Sequence, residues 1–188
     1  MVKLVATLGK SPGGIAETLN NLISGNYVAT FEAKEIKVNE LVVIRTEEVT
    51  ESYYFLKTIL LCCLDFTKVR EVALPFDDIS SPRDFITVRE TVRNVLSTGD
   101  YLDFSGGRKA ITAAAVLIAR DVGAHLVTTI IDQDDYIRMN RRYEELKDKA
   151  LSVYNKGQCL SYFCDLMSSK AKTIIFSKNR NIRYNEIK

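Results

Sequence analysis

Strand-like and helix-like segments alternate along most of this chain, and this alternation limits the possible folds more than any other feature. Runs of β-branched and apolar residues begin at Val2, Leu41, Lys68, Asp100 and His125, and a helix-like segment follows each of them. Strands that alternate with helices form mostly parallel sheets covered on both faces. The sequence therefore predicts an α/β protein with a Rossmann-like, doubly wound, mostly parallel sheet.

The chain changes character after Ile137, where charged residues replace the apolar pattern. We expect a charged helix there, a break at residues 155–157 and a second helix near residues 159–168, which together form a helical hairpin. One more strand follows at residues 173–176.

This change divides the chain into two parts that pack as one domain. Residues 1–136 form the Rossmann-like part, and residues 137–188 hold the hairpin and the final strand or strands. The polar tail at residues 179–188 either adds a short strand or frays. A chain of 188 residues leaves no room for two full catalytic domains.

Composition and charge exclude several classes of protein. Hydrophobic residues make up 46% of the chain and charged residues 27%, so a folded core is expected rather than disorder. The 26 Lys+Arg and 24 Asp+Glu give a net charge of +2, which argues against a protein that coats long nucleic acid. The apolar stretches at residues 55–66 and 110–119 are shorter than the roughly 20 residues of a membrane span. Because the start lacks a secretory signal, the expected location is cytoplasmic.

The cysteines and the histidine indicate neither a metal site nor a disulfide framework. Cys62 and Cys63 point to different faces of a predicted helix, and the spacing of Cys159 and Cys164 fits no common zinc pattern. We therefore expect all four as buried, small apolar side chains in a reducing compartment. His125 has no second histidine near it in the sequence, which argues against a metal site with histidine ligands and against a Ser/His/Asp triad.

Carboxylates leave one kind of metal site open. Glu47, Glu48, Asp134 and Asp135 lie in loops where they could converge on a phosphate-bound Mg²⁺, although each also suits a solvated loop or a first helical turn. The favoured prediction is a protein with no metal and no other cofactor.

Two glycine-rich turns mark the expected binding site, at the sheet edge where open α/β sheets bind ligands. The first glycine turn, residues 9–14, follows the first strand, and the second glycine turn, residues 105–109, follows the fourth. Each contains a serine and a lysine and leads into a helix, so each offers backbone N–H groups, a positive helix end and a cation to a phosphate. Neither turn matches the P-loop or the dinucleotide fingerprint, which weakens the case for an ATPase or a dinucleotide-binding protein.

A serine followed by proline predicts the starts of two helices. Ser11 stands before Pro12 and Ser81 before Pro82, the pattern of an N-cap and a first helical position. We expect both serine side chains to cap their helices.

Three segments together resemble the CARF domains of CRISPR-associated proteins, and most closely the standalone CRISPR ring nucleases. They are residues 7–14 (TLGKSPGG), residues 105–109 (SGGRK) and residues 133–136 (QDDY). The resemblance covers the Rossmann-like part and extends through the hairpin to the last strand. It implies a homodimer that binds one cyclic tetra-adenylate on its two-fold axis, so that each loop is used twice.

The resemblance also implies a reaction that needs no metal. A ribose 2′-OH attacks the neighbouring phosphorus in line and the 5′-oxygen leaves, giving linear di-adenylate with a 2′,3′-cyclic phosphate. This would switch off a type III CRISPR response. A near-neutral chain can hold the tetra-anion because both turns of both subunits contribute anion sites.

Residue roles follow from the same resemblance. Ser11 takes the place of the serine beside the scissile phosphate, and a catalytic lysine stands just ahead of the last core strand, where Lys170 and Lys172 both fit. Arg108 and Lys109 hold phosphates, and Gln133 reads an adenine or a ribose. The remaining expected ligand contacts are Lys10, Gly13, Gly14, Thr46, Glu47, Ser105, Gly106, Gly107 and Asp134.

The hairpin is expected to act as a lid over the ring, with Asn155 and Lys156 at its turn. The alternative function is a non-catalytic CARF sensor or sponge that binds the ring without cutting it. A sensor needs an output domain. Arg120 and His125 have the R-x-x-x-x-H spacing of a HEPN RNase, but His125 stands at the entry to a predicted strand rather than within a helix, which argues against such a domain. A DNA-binding function for residues 138–149 is disfavoured because Glu144, Glu145 and Asp148 dilute the basic charge.

Overall fold

Strands and helices follow one another along the chain much as the sequence predicts. A computed structural model describes residues 1–176, so the predicted tail at residues 179–188 lies outside the described residues. The strands are β1 (Val2–Thr7), β2 (Tyr27–Val28), β3 (Val38–Arg45), β4 (Val69–Ala73), β5 (Tyr101–Asp103), β6 (His125–Ile130) and β7 (Lys172–Phe176). The helices are α1 (Gly13–Ser24), α2 (Thr50–Leu64), α3 (Pro82–Val95), α4 (Lys109–Val122) and α5 (Gln133–Ala150), with 3₁₀ turns at Glu47–Val49, Lys156–Gln158 and Ser161–Leu166.

The strands form one sheet in the order β2-β7-β6-β5-β1-β3-β4. Every neighbouring pair is parallel except β6 and β7, which confirms the mostly parallel, doubly wound α/β fold. After β1 the chain forms the short β2 at the far edge of the sheet, then β3 and β4 on one side of β1, and it returns to β5 on the other side of β1. This reversal opens a crevice beyond the carboxyl ends of β1 and β5, the position where such sheets bind ligands. Both glycine turns lie there.

The two faces of the sheet bury different cores. Helices α3 and α4 cover one face, where Ala114, Ala115 and Ala119 of α4 are fully buried and allow close packing. Helices α1 and α2 cover the other face together with α5 and the Ser161–Leu166 turn, whose Phe163 packs edge-on against Phe55 with ring centroids 6.1 Å apart. Among the described residues, no helix combines the length and apolar character that a membrane crossing requires.

The C-terminal region differs from the predicted hairpin. Helix α5 begins at Gln133, so it runs across the proposed division of the chain at residue 136, which stays a prediction. The second predicted helix is a short 3₁₀ turn, Ser161–Leu166, which lies against α2.

The predicted lid turn lies far from the crevice. Lys156 Nζ is 2.7 Å from Asp65 Oδ1, and Asp65 directly follows the last residue of α2. Helix α2 starts beside the crevice and spans 15 residues, roughly 22 Å. Asn155 and Lys156 therefore lie at the far end of α2 from the crevice, whereas residues of α5 from Tyr136 to Lys147 line cavities at the crevice.

The four cysteines form two disulfides, Cys62–Cys159 and Cys63–Cys164, so the prediction of unpaired apolar cysteines is wrong. Cys62 and Cys63 lie in the last turn of α2, and residues 159–164 pass across this helix end and meet both of them. The two pairs span 97 and 101 residues. The spacing of the cysteines along the sequence gave no indication of such long-range pairs.

Candidate functional site

The two glycine turns touch each other at the floor of the crevice. A Cβ atom built on Gly9 would lie 2.9 Å from the backbone nitrogen of Gly107, and one on Gly106 would lie 2.9 Å from the carbonyl oxygen of Thr7. Gly107 also has a φ of +89°, which side chains rarely tolerate. Glycine is required here because the two backbones approach closely. The floor of the crevice is therefore built largely from backbone groups.

Side chains of the sheet and of α4 hold the second glycine turn in place. Thr7 Oγ1 donates to the Gly106 carbonyl at 2.7 Å, and Thr112 Oγ1 donates to the same oxygen at 2.9 Å. Ser105 Oγ donates to Asp103 and accepts from the backbone N–H of Thr129 at 2.7 Å. The hydroxyl of Ser105, a predicted ligand contact, is thus engaged in holding its own turn.

Asp103 is the buried carboxyl group under the second glycine turn. Burial raises its pKa, against the lowering effect of hydrogen bonds from Ser105 and Thr18. Its Oδ2 atom has no hydrogen-bond partner among the described residues.

Ser11 does not cap α1, so that prediction is wrong, whereas Ser81 does cap α3 by accepting from Asp84 N at 3.2 Å. Helix α1 starts at Gly13 with Pro12 in the N-cap position. Ser11 Oγ instead donates to Asn140 Oδ1 of α5 at 2.9 Å. It lines a cavity of about 340 Å³ between the two glycine turns.

Tyr136 and Asn140 form a small polar cluster with Ser11. The pKa of the Tyr136 phenol is lowered mainly by a hydrogen bond with Asn140. A hydrogen bond with Ser11 contributes less, and partial burial of the phenol acts in the opposite direction. Tyr136 lines all three cavities that meet at this edge, and so does Lys10. Sequence reasoning missed Asn140, although its position four residues after Tyr136 places both on one face of α5.

Lys10 and Arg108, two predicted phosphate ligands, share one carboxylate partner. Lys10 Nζ lies 3.3 Å from Glu48 Oε1, and an Arg108 nitrogen contacts Glu48 Oε2. All three residues line a cavity of about 270 Å³. The pKa of Glu48 is lowered mainly by a hydrogen bond from Arg108 and, to a smaller extent, by one from Lys10.

The loop after β3 contributes Thr46 and Glu48 to this cavity. Thr46 lines it and is largely buried, and its role as a ligand contact stays a prediction. Glu48, rather than the predicted Glu47, lies beside it. Glu47 is exposed, and its carbonyl oxygen accepts from Thr50 Oγ1 at 2.6 Å.

Gly13 and Gly14 have different surroundings. A Cβ atom on Gly13 would lie 2.1 Å from the Leu166 carbonyl oxygen and 2.6 Å from Met139 Cε, so Gly13 lies under the C-terminal region and away from the cavity. Gly14 lines the 340 Å³ cavity and has ordinary room around it.

Three predicted ligand residues are exposed at helix starts on the rim. Lys109 is the first residue of α4, and Gln133 and Asp134 are the first two of α5. Asp132 caps α5 by accepting from the Asp135 backbone N–H at 2.9 Å. Their backbones lie at the carboxyl edge of the sheet, while the walls of the two cavities between the turns are formed by other residues.

Lys170 and Lys172 also lie at this edge. Lys172 is the first residue of β7 and pairs with Ile130, the last residue of β6. Lys170 N donates to Ser168 Oγ at 3.1 Å. The pKa of Asp135 is lowered mainly by a hydrogen bond from Ser168, with smaller contributions from Arg138 and Lys170. Neither lysine lines the cavities between the two glycine turns, and a catalytic role for one of them stays a prediction.

Glu17 is a buried carboxyl group on α1, the helix that follows the first glycine turn. It is 2% exposed and accepts a hydrogen bond from the Ser168 backbone N–H. Its pKa is raised to about 7. Burial is the largest cause, and the charges of Asp135 and Asp103 also contribute. The sequence offered no sign of this group, because a glutamate on an amphipathic helix is usually exposed.

Among the described residues, no three histidine, cysteine or carboxylate side chains come together as ligands for a metal ion. The expected absence of a metal cofactor stays a prediction.

The fold is CARF-like. It aligns with Can2 from Sulfobacillus thermosulfidooxidans, solved in complex with cyclic tetra-adenylate, at a TM-score of 0.51 and 12% identity over 71% of this chain. The alignment spans 33% of the Can2 chain, so this protein matches about a third of that one. Enterococcus italicus Csm6, bound to cyclic hexa-2′-fluoro-hexa-dAMP, aligns at a TM-score of 0.43 and 13% identity over 80% of this chain and 38% of Csm6.

The family of this protein is shown by its sequence similarity to a known protein. The chain is 37% identical over 186 residues to the CRISPR system ring nuclease SSO2081 of Saccharolobus solfataricus, which covers 94% of this chain and 99% of that protein. This protein therefore belongs to the CRISPR ring nuclease family. No protein-family model matches the chain.

Proposed function

We propose that this protein cleaves cyclic tetra-adenylate to linear di-adenylate with a 2′,3′-cyclic phosphate and thereby ends type III CRISPR signalling. One observation carries the proposal: Ser11 lies in a crevice where two glycine turns meet at the carboxyl edge of the sheet, with Lys10 and Arg108 beside them. The 37% identity to a protein named a ring nuclease supports the same function.

We further propose a homodimer with the ring on its two-fold axis. The ring carries four phosphates, and two subunits would supply four glycine turns. Apolar side chains on the rim of the crevice support an interface there, since Ile130 is 54% exposed and Ile137 is 58% exposed. Large apolar side chains exposed together are typical of surfaces that bind a partner.

The proposed reaction is a transesterification within the ring. The 2′-oxygen forms a bond to the neighbouring phosphorus, the bond from phosphorus to the 5′-oxygen breaks, the 2′-OH loses its proton, and the leaving oxygen gains one. No water is consumed. Two such cuts divide the ring into two di-adenylates.

Ser11 positions the attacking group in this proposal. Because its proton points to Asn140 Oδ1, the lone pairs of its oxygen are available to accept a hydrogen bond from the ribose 2′-OH. Orientation of the reacting atoms supplies a large part of the rate in such a step. Arg108, Lys10 and one of Lys170 and Lys172 would stabilise the charge that develops on the phosphorane.

The decisive experiment is incubation of the protein with labelled cyclic tetra-adenylate in EDTA, with the products resolved by chromatography over time. Linear di-adenylate that ends in a cyclic phosphate is the expected product. Activity that is lost in EDTA and restored by Mg²⁺ or Mn²⁺ would overturn metal independence. Tight binding of an intact ring would instead establish the sensor or sponge.

The cytoplasm remains the proposed location, because a signalling nucleotide must be met inside the cell. Two disulfides are unusual in cytosolic proteins outside hyperthermophiles. Thiol trapping in intact cells, followed by mass spectrometry of the four cysteines, tests whether the disulfides form there.

A further inference from the structure

Glu48 neutralises the two cations that the ligand would need. Its carboxylate contacts Lys10 at 3.3 Å through Oε1 and Arg108 through Oε2. Two further acids surround this contact, since Asp78 Oδ2 is 3.9 Å from Arg108 and Asp77 Oδ1 accepts from the Glu48 backbone N–H at 3.2 Å. Lys10 and Arg108 are therefore paired with carboxylates, while their side chains stay 76% and 47% exposed and within reach of a ligand.

We propose that Glu48 is an internal competitor that holds Lys10 and Arg108 until ligand phosphates displace its carboxylate. This inference rests on the proposed function, because it assigns the same cavity to an anionic ligand. The carboxylate stands where one phosphate of that ligand would bind, between the cations of the two turns.

The position of Glu48 suits displacement. Its side chain is 34% exposed and stands on the 3₁₀ turn Glu47–Val49, so a rotation about its side-chain bonds carries the carboxylate toward solvent. Its backbone stays fixed, since Val49 is buried and donates to the Thr46 carbonyl at 3.4 Å. A ligand must therefore displace one side chain and leaves the fold unchanged.

The affinity for the anionic ligand is therefore lower than Lys10 and Arg108 would give without Glu48. A phosphate gains Lys10 and Arg108 only by replacing their existing partner. The same carboxylate returns to both cations when the ring is cut, which favours release of the shorter product. A residue that merely braced the loop would have neither effect.

The test compares Glu48→Gln with Glu51→Gln as a matched control. Glu51 lines the neighbouring cavity with Lys10 and Glu48, so both substitutions remove one charge from the same rim. Dissociation constants are measured for cyclic tetra-2′-fluoro-adenylate, which lacks the attacking hydroxyl, across a series of salt concentrations. The probe for the anion site itself is inorganic pyrophosphate, and melting temperatures confirm that each variant is folded.

Glu48→Gln should bind the ring analogue at least about tenfold more tightly, whereas Glu51→Gln should change the affinity by no more than about twofold. The dependence of affinity on salt should steepen in Glu48→Gln, because Lys10 and Arg108 then carry salt ions that the ligand releases. Glu48→Asp, which keeps the charge but shortens its reach, should show a smaller gain.

Equal behaviour of Glu48→Gln and Glu51→Gln would overturn the inference, and so would weaker binding by Glu48→Gln. If the wild-type protein and all variants fail to bind the ring analogue, the proposed function fails, and pyrophosphate then decides the inference. Tighter pyrophosphate binding by Glu48→Gln than by Glu51→Gln supports an internal competitor, and no difference or no binding excludes it.

Discussion

The two glycine turns have similar compositions but are held in opposite ways. The first glycine turn is held from outside, because Gly13 lies under Leu166 and Ser11 donates to Asn140 of α5. The second glycine turn is held from within, because Ser105 bonds to Asp103 and to Thr129 in the sheet beneath it. The serine of the first turn therefore faces a cavity, while the serine of the second is part of the scaffold.

This difference makes the first glycine turn depend on the C-terminal region. Leu166 lies in the 3₁₀ turn Ser161–Leu166, and two disulfides tie that region to α2. Two buried carboxyl groups lie near the turns: Glu17 is in α1, the helix that follows the first turn, and Asp103 accepts a hydrogen bond from Ser105 of the second turn. Glu17 also accepts a hydrogen bond from the Ser168 backbone N–H, and Ser168 Oγ accepts one from the Lys170 backbone N–H, so α1, the C-terminal region and Lys170 are connected.

Reduction of both disulfides should change the difference between the two glycine turns more than any other treatment. In the chain-entropy description a loop of 97 residues is worth up to about 5 kcal/mol of unfolding free energy, and we expect a loss of about that size. Denaturant titration with and without a reductant measures it. Hydrogen exchange should accelerate in the first glycine turn and stay unchanged in the second.

Removal of one disulfide provides the control. The double substitution Cys62→Ser and Cys159→Ser leaves Cys63–Cys164 to close a loop of 101 residues, so less than half of the loss should follow. Equal exchange rates in both turns after full reduction would contradict a first turn held from outside.

Gly13→Ala should destabilise the protein by about 3 kcal/mol, because its Cβ would meet the Leu166 backbone at 2.1 Å and the backbone must shift. Gly14→Ala is the matched control, since its Cβ would have Ile131 Cδ1 at an ordinary 4.0 Å. Urea unfolding of the two variants measures the difference. Equal stabilities would show that the C-terminal region does not press on the first glycine turn.

Glu17 should make stability fall as the pH rises. Its pKa of about 7 exceeds the value of 4.5 expected for an exposed carboxyl, so the folded protein holds a proton that the unfolded chain releases. The stabilisation is present below about pH 4.5 and is lost as the pH rises through 7, up to about 3 kcal/mol in all. Unfolding free energies at pH 5 and pH 8 measure it for the wild type and Glu17→Gln. An identical slope in the two proteins would contradict a titrating Glu17.

The two serines should give the smallest effects and opposite ones. Ser11→Ala should slow single-turnover cleavage by at least about tenfold and leave the melting temperature unchanged. Ser105→Ala should lower the unfolding free energy by about 2 kcal/mol, because buried Asp103 loses a donor and the Thr129 N–H loses its acceptor. An unchanged rate in Ser11→Ala would remove Ser11 from the mechanism.

Much of the fold could be predicted because its signals are local. The sequence predicted a helix after the strand that begins at Leu41, and α2 (Thr50–Leu64) is that helix. The Ser81-Pro82 pair marked the start of α3, where Ser81 caps the helix. The same pair at Ser11-Pro12 gave a wrong prediction of an N-cap. The Ser11 hydroxyl donates instead to Asn140, a partner far away in the sequence.

The candidate site was predictable in position but not in its contacts. Glycine, serine and cation patterns located both turns, since a parallel sheet brings the loops after its strands to one edge. The partner of Arg108 is Glu48, 60 residues away, where the favoured loop residue was Glu47. Adjacent acids in one loop cannot be distinguished by spacing, because the direction of each side chain depends on the 3₁₀ turn that only the folded chain forms.

The sequence by itself determined the α/β alternation, the parallel sheet and the two glycine turns at its edge, because periodicity and turn chemistry act over a few neighbouring residues. Tertiary structure alone decided the disulfide partners, the burial of Glu17, the cover over Gly13 and the contact of Ser11 with Asn140 across 129 residues. The physical reason is that each of these depends on which distant segments the sheet order brings together, and a distant partner leaves no mark on the local pattern.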